Sequence, residues 1–229
     1  MYQLMSVFVL VGFLVSPCGQ AEQKESQCFG TTSNGRLQDG VNLPSAGANF
    51  KAYSWLGRQL GRTYVHSGVY KIVVATYKAL HKSHPKKVFM YAETGFQTGG
   101  RFKPHKTHQN GLSLDHMVPV LKEGKSVHLP THALNKLGYD IEFSPKGIYG
   151  EYKIDFEALA ALIVELHRQA KKAGHEIWRV IFDPELTPFL LQTDSGKYLR
   201  KNLQFSKKRS WVRHDEHIHV DFKIPCEAL

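Results

Sequence analysis

Charge is missing from the start of this sequence: residues 1–21 contain no Lys, Arg, Asp or Glu. The apolar run there, Leu4 to Val15, is shorter than the roughly 20 residues a bilayer span needs and matches the core of a secretory signal instead. Ser16, Pro17, Cys18, Gly19, Gln20 and Ala21 follow, with small residues at the two positions a signal peptidase reads, so cleavage is expected after Ala21. The mature chain, residues 22–229, is then a single secreted domain with no integral membrane span; no shift in composition marks an internal boundary. Lipidation at Cys18 is the alternative, although Pro17 fits that processing signal poorly.

Cysteine is also scarce, at 3 in 229 residues. If Cys18 leaves with the signal, Cys28 and Cys226 remain, an even number in an oxidising compartment, and a bridge between them is expected; two unpaired thiols are the alternative. Internal repeats and low-complexity tracts are absent. Acidic residues are outnumbered 20 to 30 by Lys and Arg, and the whole excess of +10 belongs to the mature chain. Such a surface attracts polyanions, whether nucleic acid, anionic lipid or the acidic peptides of a cell wall, and charge alone does not choose among them.

Periodicity supplies the elements. Gly, Ser, Asn and Pro crowd residues 26–48, which predicts an irregular lead-in. Val69, Ile72, Val73, Tyr77 and Leu80 recur at helical spacing over Ser67 to Leu80, and Lys87 to Ala92 reads as a buried strand before a Gly-containing loop, 94–104. Leu112 to Leu121 reads as a second strand, and residues 127–149 carry no assignable pattern. Asp155 to Ala173 is the clearest helix, with Asp155 as N-cap, a stripe of Leu159, Leu162, Ile163 and Leu166, and Gly174 just past its end. Ile177 to Phe182 is a strand, and a short helix is expected over Glu185 to Leu191. In the final strand, His217 to Phe222, the apolar Ile218, Val220 and Phe222 alternate strictly with His217, His219 and Asp221. The order predicts an α+β fold: a small antiparallel sheet flanked by helices with long loops, and a zinc site on the sheet.

The chemistry lies in two histidine groups, His105 and His108 with Asp115 close behind, then His214, His217 and His219. Histidines with one carboxylate suit a catalytic zinc, which takes three protein ligands and keeps a fourth position for water. Residues two apart on a strand share a face but stand about 6.5–7 Å apart, whereas zinc–nitrogen bonds are about 2 Å. His217 and His219 therefore share a face without sharing the metal: one can ligate while the other stands beside the bound water. Gly111 supplies the turn that His108 and Asp115 need to converge.

Three stretches, Gly99-Gly100-Arg101-Phe102, His105 to Leu112 leading to Asp115, and His214-Asp-Glu-His217-Ile-His219-Val220, resemble the penicillin-insensitive murein endopeptidases. That family sits in the wider zinc peptidase group of lysostaphin, the D-Ala-D-Ala peptidases and the hedgehog domain. The resemblance implies that His108, Asp115 and His219 bind one Zn2+, that His217 with His214 forms the catalytic side, and that His105 and Arg101 stand on the substrate side. It implies hydrolysis of peptidoglycan peptides, of D-alanyl-meso-diaminopimelyl endopeptidase type. Ser113, where the family commonly has a second acid, and the polar His116 depart from its pattern.

Other readings are open. A carboxypeptidase trimming terminal D-Ala fits the same motifs. A His-Asn-His metal nuclease fits Asp115-His116-Met117-Val118-Pro119 and Asn135, but the next histidine, His167, is too distant and lies inside the best helix, so no nucleic-acid partner is expected. A non-catalytic zinc- or wall-binding protein has no need of His217 on the metal-side face.

Overall fold

The structure, a computed structural model, describes residues 24–208, 210 and 212–229; the expected signal sequence, its cleavage point and Cys18 lie outside the described residues. A hairpin of β1 (Gln27–Thr31) and β2 (Asn34–Gln38) replaces the irregular lead-in that composition predicts. Tethering is the physical reason. Cys28 is disulfide-bonded to Cys226 with a Cα–Cα distance of 4.8 Å, and Glu227 brackets the bridge, accepting from Gly30 N at 2.8 Å and donating to Cys28 O at 2.9 Å.

Next come β3 (Val41–Asn42), β4 (Phe50–Ala52), the short α1 (Trp55–Gln59), and β5 (Tyr64–Val65), which pairs with β3. The predicted first helix is α2 (Ser67–Ser83), and a histidine caps it: His66 Nδ1 accepts from Gly68 N at 3.0 Å. After β6 (Phe89–Tyr91), the predicted 112–121 strand divides into β7 (Ser113–Met117) and β8 (Val120–Lys122), because Pro119 offers no N–H to continue a ladder. β9 (Lys125–Val127) ends where the unassigned stretch begins; that stretch holds a 3-10 turn over Ala133–Gly138 and β10 (Ile148–Tyr149), and β11 (Tyr152–Ile154) lies just beyond it. The clearest predicted helix is α3 (Phe156–Lys172), with Asp155 accepting from Ala158 N at its start. β12 (Glu176–Ile181), α4 (Thr187–Leu191), the unpredicted α5 (Gly196–Asn202) and β13 (His217–Lys223) complete the chain.

The central sheet runs β12-β13-β7-β6-β4, and β10-β11-β8-β9 form a smaller one. The class is α+β, as expected. One pairing departs from an all-antiparallel sheet: β4 runs parallel to β6. Register across β13 and β7 sets Val220 opposite Leu114 and Ile218 opposite His116 on one face. Helices α2 and α3 pack together, α2 reaching that face where the Tyr77 ring lies 6.0 Å from His116, while α3 packs on β12. The opposite face carries His219 against Asp115, His217 against Met117 and Asp221 against Ser113. Burying the first face therefore fixes which side chains gather on the second.

Two predictions follow from this arrangement. Closing a loop 198 residues long should stabilise the fold by about 2–5 kcal/mol, so a Cys28→Ser, Cys226→Ser chain should unfold at correspondingly lower denaturant, and the parent should match it once reduced. An unchanged midpoint would mean the bridge constrains nothing. Burial pushes the His116 imidazole down to about 4 from 6.5, so the unfolded chain takes up this proton first. The stability due to the neutral ring is complete above about pH 6.5 and is lost as pH falls toward about 4. Denaturation midpoints should drop over that window, less steeply in His116→Phe, and parallel pH curves would exclude His116 as the cause.

Candidate metal centre

Asp115 is the centre of the second face. Its side chain has no solvent exposure, and burial alone would raise its pKa; His108 and His217, with His219 bonded to it, hold it well below the usual carboxylate range instead. Strand β13 delivers His219, whose Nδ1 lies 2.8 Å from Asp115 Oδ1, and His217, whose Nε2 lies 3.7 Å from Oδ2.

The loop between β6 and β7 delivers two more rings. His108 sits in the left-handed region at φ 68, and Gly111 at φ 76 returns the chain to β7. A Cβ on Gly111 would come within 2.7 Å of His66 N, so only glycine makes that return. His108 Nδ1–H donates to Thr94 O at 3.1 Å, which leaves Nε2 as the bare nitrogen. That Nε2 stands 3.2 Å from Asp115 Oδ1, yet it makes no hydrogen bond among the described residues; neither does His217 Nε2. His105 Nδ1 lies 3.7 Å from Asp115 Oδ2, and the offered atoms of His105, His108 and Asp115 all lie within 4.8 Å of one another. Buried nitrogens aimed at one carboxylate without bonding to it suit a cation between them, so the donor set fits a zinc ion.

Each flanking histidine is backed by a carboxylate that is itself backed by an arginine. His219 Nε2 bonds Asp221 Oδ1 at 2.9 Å, and Asp221 also accepts from Ser113 Oγ and Arg179 Nε, each at 2.6 Å. On the other side His105 Nε2 bonds Glu93 Oε2 at 2.7 Å; Glu93 is paired with Arg62 and accepts from Tyr53 OH at 2.9 Å. Burial opposes both charged states, but the partners win: Glu93 falls to about 2 and His219 rises to about 10. A metal taken up at His219 must displace a proton held by two carboxylates. His217 Nδ1 lies 2.7 Å from Glu216 Oε1, and burial drives both toward their neutral forms, His217 to about 4.

The cluster opens onto a cleft of about 540 Å3 whose walls include Pro104, His105, Tyr139, Arg179, His214 and His217. Of the residues singled out in the sequence, His105, His108, Asp115, His217 and His219 meet at the cluster, and His214 joins them with its ring 4.6 Å from that of His217. Arg101 is exposed and is not among the residues lining the cleft. Several participants went unnoticed. Tyr139 OH donates to Asp115 Oδ2 at 3.1 Å from a stretch with no readable pattern. Asp221 was visible on the alternating face of the last strand, and Ser113, the departure from the family pattern, proves to be its hydrogen-bond donor.

Among known proteins, a family described as penicillin-insensitive murein endopeptidase matches residues 28–229. A curated relative, the penicillin-insensitive murein endopeptidase of Salmonella arizonae, is 24% identical over 212 residues, which cover 89% of this chain and 69% of the relative. With a match spanning nearly every residue from the first disulfide cysteine to the C-terminus, the chain belongs to the penicillin-insensitive murein endopeptidase family.

Proposed function

We propose that this chain is a periplasmic zinc metallopeptidase that hydrolyses the peptide crosslinks of peptidoglycan, of D-alanyl-meso-diaminopimelyl endopeptidase type. The observation that carries the reading is the convergence of unbonded buried imidazole nitrogens on the Asp115 carboxylate at the floor of a cleft, in a chain of this family. His108, Asp115 and His219 hold the metal, and His105 stands next to them as a Glu93-anchored neighbour. A bound zinc ion supplies Lewis acidity, lowering the pKa of a coordinated water and polarising the scissile carbonyl.

The remaining work falls to the protein. Because Nδ1 of His217 is occupied by Glu216, Nε2 is the atom left to take a proton from the attacking water or to donate to the developing oxyanion. Tyr139 and the Ser113–Asp221 pair hold the ligands in orientation. Ring packing between Tyr139 and His217, with centroids 5.0 Å apart, and between His214 and His217 limits the motion of the catalytic imidazole.

The decisive assay incubates the purified protein with crosslinked peptidoglycan, with and without a chelator, and reads the products by mass spectrometry. Crosslinked dimers should convert to monomers, and chelation should stop this until zinc is restored. Release of free D-alanine alone would replace the endopeptidase with a carboxypeptidase. Metal analysis separates the roles. Asp115→Asn and His219→Ala should lose stoichiometric zinc, and His105→Ala should retain it. His217→Ala should bind zinc normally and lose at least about 100-fold in kcat; full activity there would remove His217 from the mechanism.

A further inference from the structure

One wall of the cleft carries a guanidinium whose Nε braces Asp221 and whose terminal nitrogens the proposed chemistry does not use. Strand β12 pairs Ile177 with Phe222 on the core face, yet its next paired residue, Arg179, stands opposite Asp221 on the metal-side face. Trp178 is the extra residue of a β-bulge. Without the bulge Trp178 would face Asp221 and Arg179 would turn to the core, so the bulge aims the arginine into the cleft.

The fork is held from behind. Arg179 Nε donates to Asp221 Oδ2 at 2.6 Å, and the guanidinium carbon lies 4.4 Å from the centre of the Trp178 ring, which limits its rotation. About a third of the side chain (35%) remains exposed, on the cleft wall. Among the described residues its two terminal nitrogens make no hydrogen bond, and they form the planar edge that matches a carboxylate in bidentate geometry. Other cations on the cleft are placed differently: Lys136, for example, is exposed and bonded to Asp140 at 2.7 Å. Arg179 and His219 share the Asp221 carboxylate and line the same cleft, so an anion on the fork sits beside the His219 side of the cluster.

We propose that Arg179 is a specificity-determining residue that binds a free carboxylate of the peptide substrate, on the leaving-amine side of the scissile bond. This rests on the peptide-hydrolase reading, and the test separates the two. Two short peptides that differ only in ending with D-alanine or D-alaninamide isolate the carboxylate and serve as probes. The zinc-loaded protein should cleave the acid at least about tenfold more efficiently than the amide, with the difference in KM. Arg179→Gln should cost the acid about thirtyfold and the amide no more than a few fold, while zinc content stays stoichiometric. Arg179→Lys, which keeps charge but not the fork, should recover only part of the preference.

Equal losses on acid and amide, or lost zinc, would reduce Arg179 to a support for Asp221 and overturn the proposal. Calorimetric titration with the two dipeptide products, acid and amide, needs no turnover. Tighter binding of the acid, abolished in Arg179→Gln, in a protein that cleaves neither peptide would sink the peptidase reading and leave the carboxylate site standing. Equal binding of the two products by the parent protein would sink the site.

Discussion

A carboxylate with no access to water sits at the middle of this protein, and moving such a group out of water costs several kcal/mol unless its neighbours compensate. Asp115 is compensated by imidazoles from two directions, His108 on the loop and His217 and His219 on β13, and by the Tyr139 hydroxyl. Those groups in turn need fixed positions, which explains why the carboxylates behind His105 and His219 are anchored to Arg62 and Arg179. The alternation of charge outward from Asp115 is a single electrostatic unit. Removing one of its fully buried members strands the next as an unpaired buried charge, which is costlier than losing the contact itself.

The same alternation sets what the centre can hold. Once the His219 proton is displaced, Asp115, Glu93 and Asp221 oppose Arg62 and Arg179, and one negative charge is left over. A dication there would convert that residue of negative charge into a positive one at the floor of the cleft. An anionic peptide then meets favourable potential both there and over the basic surface of a chain whose net charge is +10.

Much of this was legible in the sequence, and what was not has specific causes. Helix α3 announces itself because cap, apolar stripe and terminal glycine agree, and β13 because period-2 alternation admits one reading. The five clustered histidines and Asp115 were found because their residue types are chemically restrictive. Tyr139 was not, since it closes a 3-10 segment in which Lys136 and Leu137 take φ of 49 and 60, conformations that no hydrophobic period encodes. Arg179 was hidden for the opposite reason. Simple alternation groups it with Ile177 on the core face, and only the bulge at Trp178 moves it to the other. Glu93 lies one residue past the predicted strand, where a buried ion-pair partner leaves no pattern at all.

The N-terminal hairpin shows how a segment remote from the chemistry can govern it. Leu37 N donates to Thr98 O, Gln109 N donates to Thr32 O, and Gly100 N closes back on Gln109 O, so β1 and β2 brace both ends of the loop that carries His105 and His108. Gly99 permits this: a Cβ there would come within 2.2 Å of Gln109 O, too close for any other residue. The hairpin itself is pinned by the Cys28–Cys226 bridge to the segment just beyond β13, the strand that carries His217 and His219. The two halves of the histidine cluster, far apart in sequence, are thus joined twice, through Asp115 and through the disulfide. His108 can be held at a positive φ because this frame over-determines its backbone, and the strain secures the bare Nε2 in its direction toward Asp115.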